Sequence, residues 1–229
     1  QCSTVNEVGV GGGRSYSALI YLLSNLGITN YSYRGYDISK VCINYLINHY
    51  GPNFELSAVD NPKYRKCDLL YFFDVIVHAA KPLDFLDVVS ESCTKYLCFQ
   101  SPTRDTGATE YDVAKSCKFE NGSWIPWIVF NVDELVEQLR KRGFIKVLMI
   151  KRYKNFGGTG MRYLPKEFYD PRCGSSRTAV LAIKDEGMNE KLLLDPNFVN
   201  DVNVLDDRKS ASIPRTVTLL NRAYRRMIR

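Results

Sequence analysis

The chain has 229 residues, 45% of them hydrophobic, with a formal net charge of +6. That size and apolar fraction suit one large α/β domain with a substantial core, plus an appended tail, better than two small domains. No run approaches the roughly 18 apolar residues of a membrane span, and the N-terminus lacks the basic-then-apolar profile of a signal peptide, so a soluble, cytoplasmic protein is expected.

The first strand is read in TVNEVGV, which runs straight into Gly9, Gly11, Gly12 and Gly13. A helix follows in SYSALIYLLSNLG with a stop at Gly27, then a strand in YSYRGYD and a helix in ISKVCINYLINHYG with a stop at Gly51. NFELSAV and CDLLYFFDVI read as strands joined by DNPKYRK, which is too short for a full helix. PLDFLDVVSESC reads as a helix and KYLCFQS as a strand. NVDELVEQLRKRGF is a helix with Asn131 as N-cap, Glu134 three residues later and Gly143 as C-cap. FIKVLMIKRY and RTAVLAIKD bring the count to seven strands. Strands that alternate with helices in this way indicate an α/β fold with a mainly parallel sheet.

Two segments break the alternation: Ser101 to Phe130, which carries Trp124 and Trp127, and Asn155 to Ser176. Long connections in a compact sheet are more often lids or pockets than idle loops. The domain is placed at 1–190 and a basic tail at 191–229. From Arg208 to Arg229 the tail has seven Lys or Arg residues and no acid. It suits phosphates on nucleic acid or a membrane surface, or else an amphipathic helix that docks Leu219, Leu220, Tyr224 and Ile228 on the body. The seven cysteines form no CxxC pair and have no histidines at metal spacing, so no metal site is expected and a reducing compartment is.

A strand that enters a glycine-rich turn and then a helix brings backbone N–H groups close to a ligand, because glycine has no Cβ to hold it away. The dinucleotide fingerprint GxGxxG fails, since Arg14 stands where its third glycine belongs, and the phosphate P-loop is absent. What stands there is acid-x-Gly-x-Gly-x-Gly, from Glu7 through Gly9 and Gly11 to Gly13. At this motif the chain resembles the class I S-adenosylmethionine-dependent methyltransferases, and the resemblance extends over residues 3 to 184. It implies a Rossmann-like, seven-stranded, mostly parallel sheet flanked by helices, with the last strand antiparallel.

The resemblance also implies roles for individual residues, each beside a plainer reading. Glu7, Gly9, Gly11 and Gly13 would hold the methionine end of S-adenosylmethionine; an edge-strand surface acid is the alternative for Glu7. Tyr16 is either core packing or a residue that closes over the methionine moiety. Asp37 would accept two hydrogen bonds from the ribose diol, with Ile38 against the adenine; alternatively Asp37 caps the next helix. Asp60 would face the adenine amino group or serve only as a turn residue, and Phe73 is placed in the cofactor set. Asp68, Asp74 and His78 occupy the post-cofactor motif, where Asp74 and His78 are candidate catalytic bases and His78 is otherwise a satisfied structural histidine.

For the acceptor, Arg104, Trp124 and Trp127 are expected to line a pocket, since aromatic faces suit sugars and rings and an arginine suits a carboxylate or phosphate. In the other reading WIPWIVF is a hydrophobic cover over the sheet. The proline-rich signature of amino-methylating enzymes is missing at FFDV, and the strand-five lysine of ribose 2′-O-methyltransferases is missing at SPTRD. The family's usual upstream helical lid is not in the sequence, which suggests a trimmed fragment or reliance on the 101–130 insertion. The leading expectation is methyl transfer to a small polar or sugar-like acceptor. RNA methylation, including a cap, through the basic tail and a cofactor-binding module without catalysis are the alternatives.

Overall fold

The computed structural model describes residues 2–57, 63–120, 122–153 and 174–184, with the backbone of 162–163 and 202–206. Its first half is a βα alternation: β1 (Thr4–Val8), α1 (Arg14–Asn25), β2 (Ser32–Asp37), α2 (Lys40–Tyr50), β3 (Phe54–Leu56), β4 (Cys67–Phe73), α3 (Pro82–Ser92) and β5 (Cys93–Arg104). A 3-10 turn over Ile76–His78 follows β4. The second half holds β6 (Cys117–Glu120), β7 (Ser123–Pro126), β8 (Phe130–Asn131), α4 (Val132–Lys141), β9 (Lys146–Arg152), β10 (Arg162–Tyr163), β11 (Ser175–Ile183) and β12 (Val202–Asp206).

The main sheet runs β12-β9-β11-β5-β4-β1-β2-β3, and β8 adds a short pairing to β5. Within it β11 is antiparallel to both β5 and β9, and the other pairings are parallel. All seven expected strands are present, and the last of them, RTAVLAIKD, is β11. The strand β12 is an addition, formed by backbone in the segment read as tail; the rest of the basic tail lies outside the described residues. The 101–130 insertion supplies β6 and β7 and the second insertion supplies β10 of a small antiparallel sheet, β10-β6-β7. Most of the second insertion is outside the described residues.

Side-chain alternation along the strands divides the core into two layers. Val8, Leu70, Phe72, Leu97, Phe99, Val147, Met149 and Val180 face Phe85, Leu86, Leu135 and Leu139 of α3 and α4. Val5, Tyr33, Phe54 and Tyr71 face Tyr16 of α1 and Ile43 and Leu46 of α2. Local chemistry agrees with these positions. In α4 the buried Val132, Leu135, Val136 and Leu139 form one stripe, with acids in the first turn and bases in the last, as the helix dipole favours. Among the described residues no helix is long and apolar enough to cross a membrane.

The segment WIPWIVF is split by the fold. Ile128, Val129 and Phe130 are fully buried, Trp127 is half-buried, and Trp124 stands exposed against Phe119 at the β6–β7 hairpin.

Asn131 secures this region at three points. Its Oδ1 accepts from the Glu134 N–H at 3.0 Å, its Nδ2 donates to Gly107 O at 2.8 Å, and its own N–H donates to Thr109 Oγ1 at 2.8 Å. Replacing it with alanine removes a helix cap and the bond to the Gly107 carbonyl, and is expected to cost about 1–2 kcal/mol. Urea unfolding measures this; a loss under about 0.5 kcal/mol would mean that solvent takes over both bonds.

Candidate functional site

Strand order reverses between β1 and β4: β2 and β3 lie on one side of β1, whereas β4 and β5 lie on the other. In open α/β sheets the crevice at such a switch point, beyond the carboxyl ends of the strands, is where ligands bind. The glycine turn leaves β1 at that point. Gly9 and Val10 donate their N–H groups to Tyr36 O at 2.7 and 3.2 Å, and Gly13 N–H donates to Val10 O at 2.9 Å. Gly9, Gly11 and Gly13 have φ of +76°, +50° and +80°, a region that side-chain-bearing residues avoid.

The glycines differ in what surrounds them. A Cβ on Gly9 would lie 2.4 Å from Val75 Cγ2, and one on Gly13 would lie 2.6 Å from Leu46 Cδ2. Packing therefore accounts for these two. A Cβ on Gly11 or Gly12 would meet no atom within 4 Å. These two face open space, as a backbone approached by a ligand does.

Asp37 ends β2 beside this turn. Its Oδ2 accepts the Gly11 N–H at 2.7 Å and its Oδ1 accepts the Ser39 N–H at 2.8 Å. The N-cap of α2 is Ser39, whose hydroxyl accepts from Cys42 N–H, so Asp37 is not the cap itself. Around it lie large apolar side chains in water: Ile38 at 66% exposure, Leu56 at 58% and Phe73 at 42%. Their strands end in register, Asp37 opposite Leu56 and Val8 opposite both Tyr36 and Phe72, so all three belong to one edge of the sheet. Asp60 lies outside the described residues. Tyr16 is in the core, its ring 4.4 Å from that of Tyr33 and 5.2 Å from those of Tyr50 and Phe54.

Glu7 is buried, not a surface acid. One carboxylate oxygen accepts hydrogen bonds from the hydroxyls of Tyr33 and Tyr71, both at 2.5 Å. Burial raises its pKa, against the lowering effect of the tyrosine and Ser15 hydrogen bonds. Burial and the neighbouring carboxylate also push both tyrosines upward, so they act as neutral donors.

After β4, Asp74 adopts φ +56°; among the described residues it is the non-glycine residue with positive φ. Its N–H donates to Gln100 O, and its carboxylate pairs with Arg177 of β11 at 2.5 Å and accepts from Gln100 Nε2 at 3.4 Å. His78 joins Trp127, ring centroids 5.5 Å apart, while Lys118 lies 3.8 Å above the Trp127 ring. His78 Nδ1 lies 2.9 Å from Pro126 O, an acceptor, so Nδ1 carries the proton and Nε2 keeps a lone pair. Burial lowers the pKa of His78 and favours the neutral ring. Arg104 is buried at the end of β5, where it donates to Ala108 O at 3.4 Å. Asp68 is at the opposite end of β4, bound to Ser3, Thr4 and Lys95.

Sequence reasoning missed Tyr33, Tyr71, Gln100 and Arg177. The tyrosines share the alternation phase of apolar core residues, which does not mark them as hydrogen-bond donors to an acid. Gln100 and Arg177 meet Asp74 only through sheet register, which no local pattern encodes. A cavity of about 660 Å³ lined by Thr4, Asn6, Tyr31, Tyr33 and Arg34 opens at the opposite, N-terminal edge of the sheet, where the switch-point rule places no ligand.

Neither a family model nor a curated protein sequence matches the chain. Solved structures do. The O-methyltransferase from the trans-AT PKS multienzyme of Brevibacillus brevis, in complex with S-adenosyl-L-homocysteine, aligns with all of this chain and 77% of its own at 12% identity and TM-score 0.57. The fold is that of the S-adenosylmethionine-dependent methyltransferases. The methyltransferase fold recurs in the N-terminal domain of EvdMO1 with SAH bound, which aligns with 80% of this chain and 75% of its own at 12% identity and TM-score 0.53. It recurs again in the citrinin polyketide synthase CMeT domain, at 13% identity and TM-score 0.54 over 81% of this chain. The chain spans 47% of the length of that last structure.

The buried Glu7 makes stability depend on pH in a defined direction. A carboxyl whose folded pKa lies above its ordinary 4.5 contributes stability that is present below 4.5 and lost as pH rises through the raised value. Glu7→Gln keeps an acceptor for the tyrosines and has no such loss. Its melting temperature relative to the parent is therefore expected to climb as pH rises from 4.5. The opposite slope would mean that the tyrosine hydrogen bonds outweigh desolvation.

Proposed function

We propose that this chain is an S-adenosylmethionine-dependent methyltransferase that acts on a small polar or sugar-like acceptor. The observation that carries the reading is the Asp37–Gly11 hydrogen bond, which fixes the β2 acid against the open part of the glycine turn at the switch point. The residues present fit the cofactor. Each Asp37 oxygen has a second lone pair for a ribose hydroxyl. Ile38, Leu56 and Phe73 offer the exposed apolar surface that an adenine would cover. Gly11 and Gly12 leave room for close approach by the methionine portion.

When bound, S-adenosylmethionine supplies an electrophilic methyl group on a sulfonium. Displacement at that carbon needs alignment and exclusion of water more than covalent help, so positioning by the protein is the main contribution. Of the two candidate bases, Asp74 is committed to Arg177, and its ion pair would have to open before it took a proton. His78 is the better base. Its ring is neutral, its Nδ1–H is held by Pro126 O, and Nε2 is available to receive a proton from an acceptor hydroxyl or amine. Trp127 would then present an aromatic face beside the acceptor. The RNA alternative rests on the basic tail, most of which lies outside the described residues, and on exposed aromatics such as Trp124.

Saturating S-adenosylhomocysteine is expected to raise the melting temperature, because a ligand that binds only the folded state stabilises it by mass action. Asp37→Ala should weaken that binding by about tenfold or more, through lost charge-assisted hydrogen bonds. Calorimetric titration reads both. A folded sample with no shift and no heat of binding would end the methyltransferase reading.

A further inference from the structure

The antiparallel insertion of β11 between β5 and β9 sets two arginines side by side. Arg177 and Arg152 are direct partners in the β11–β9 register, and the residue opposite Arg177 on β5 is Pro102. Val180 and Ala182 on β11 and Val147 and Met149 on β9 pack in the layer of α3 and α4. By alternation both arginines are on the other face, which Gln100 of β5 and Phe73 of β4 also share. Both are near the strand ends that border the crevice: β9 ends at Arg152, and Arg177 reaches Asp74 just past the end of β4.

Like charges directly opposite on neighbouring strands destabilise a sheet. Asp74 offsets only one of the pair. It takes one NH2 group of Arg177, whose side chain is still 46% exposed, and Arg152 makes no ion pair or side-chain hydrogen bond among the described residues. The fold gives no reason for the second arginine. Two guanidinium groups on one face, with donors left over, make a site for an anionic oxygen group.

We propose that Arg152 and Arg177 bind an anionic group on the methyl acceptor, so that the substrate class is a small molecule carrying a carboxylate or a phosphoryl group. This rests on the methyltransferase reading and moves the anion-binding role from Arg104, which is buried under the loop that follows β5, to the β9–β11 pair. Arg177 would bridge Asp74 and the anion, and Arg152 would supply the second fork.

The test uses the full chain at constant ionic strength. Line broadening of the phosphorus signal of inorganic phosphate and, separately, of the carboxylate carbon signal of acetate is followed against protein concentration. S-adenosylhomocysteine affinity and melting temperature are measured on the same samples. The parent should bind at least one anion, and the anion preferred tells phosphoryl from carboxylate. Arg152→Gln should weaken that binding by about tenfold and Arg152→Lys by less, since lysine keeps the charge without the fork. Both variants should keep the parent's S-adenosylhomocysteine affinity, and Arg152→Gln should melt no lower than the parent, because it removes a like-charge contact. If the parent binds neither anion, or Arg152→Gln binds as the parent does, the anion site is refuted while the methyltransferase reading stands. If the parent binds an anion but not S-adenosylhomocysteine, that reading falls and takes the acceptor assignment with it.

Discussion

The buried carboxylate of Glu7 is the constraint on which the crevice depends. A carboxylate out of water must have its lone pairs filled, and two phenolic hydroxyls from the neighbouring strands do so here, one from β2 and one from β4. A lysine or arginine in their place would add a second charge to desolvate, whereas neutral phenols satisfy the acid without one. The three strands are thereby locked at the row just below the turn, on either side of the point where strand order reverses. The relative height of β2 and β4 then fixes where Asp37 and Phe73 emerge.

From that row upward, each element inherits its place. Tyr36 O holds the start of the glycine turn, so β2 sets the path of the chain into α1. Asp37 returns the constraint by taking the Gly11 N–H, and through Ser39 N–H it also sets the start of α2. A single acid thus aligns a turn and a helix while keeping lone pairs directed at the crevice. Asp74, in its left-handed conformation, does the equivalent for the other half, joining the end of β4 to β5 through Gln100 and to β11 through Arg177.

How much of this was legible in the sequence follows from the range of each interaction. Elements with local signals were readable: Asn131 with Glu134 marked the start of α4, and the Gly27, Gly51 and Gly143 stops each adopt positive φ. The glycine motif marked the crevice because strain and close approach act within a few residues. The division of labour among its glycines was not readable, since Val75 and Leu46 crowd Gly9 and Gly13 from distant segments. The acceptor side was least legible. Arg104 was expected to hold an anion because it stands in the 101–130 insertion and an arginine suits a carboxylate or phosphate, but the loop from Asp105 to Ala108 folds back over it. The arginines that do share a face at the strand ends are separated in the chain and meet only because β11 runs antiparallel between β5 and β9.

That antiparallel strand has a chemical consequence as well as a topological one. Because β11 runs antiparallel to β5, its first residues lie beside the end of β5, and Arg177 among them reaches Asp74. Reversal brings Arg177 to the crevice and commits Asp74 to an ion pair, so a proton acceptor must come from elsewhere. His78, four residues on, is turned by the 3-10 helix against Pro126 and Trp127, where burial favours the neutral ring and Pro126 O fixes its tautomer. The acid and the histidine of one short motif are thus held by different elements, Asp74 by Arg177 of β11 and His78 by Pro126 at the end of β7. An ion-paired carboxylate beside two arginines and a neutral imidazole are what the proposed acceptor, with an anionic group and a protonated nucleophile, would call on.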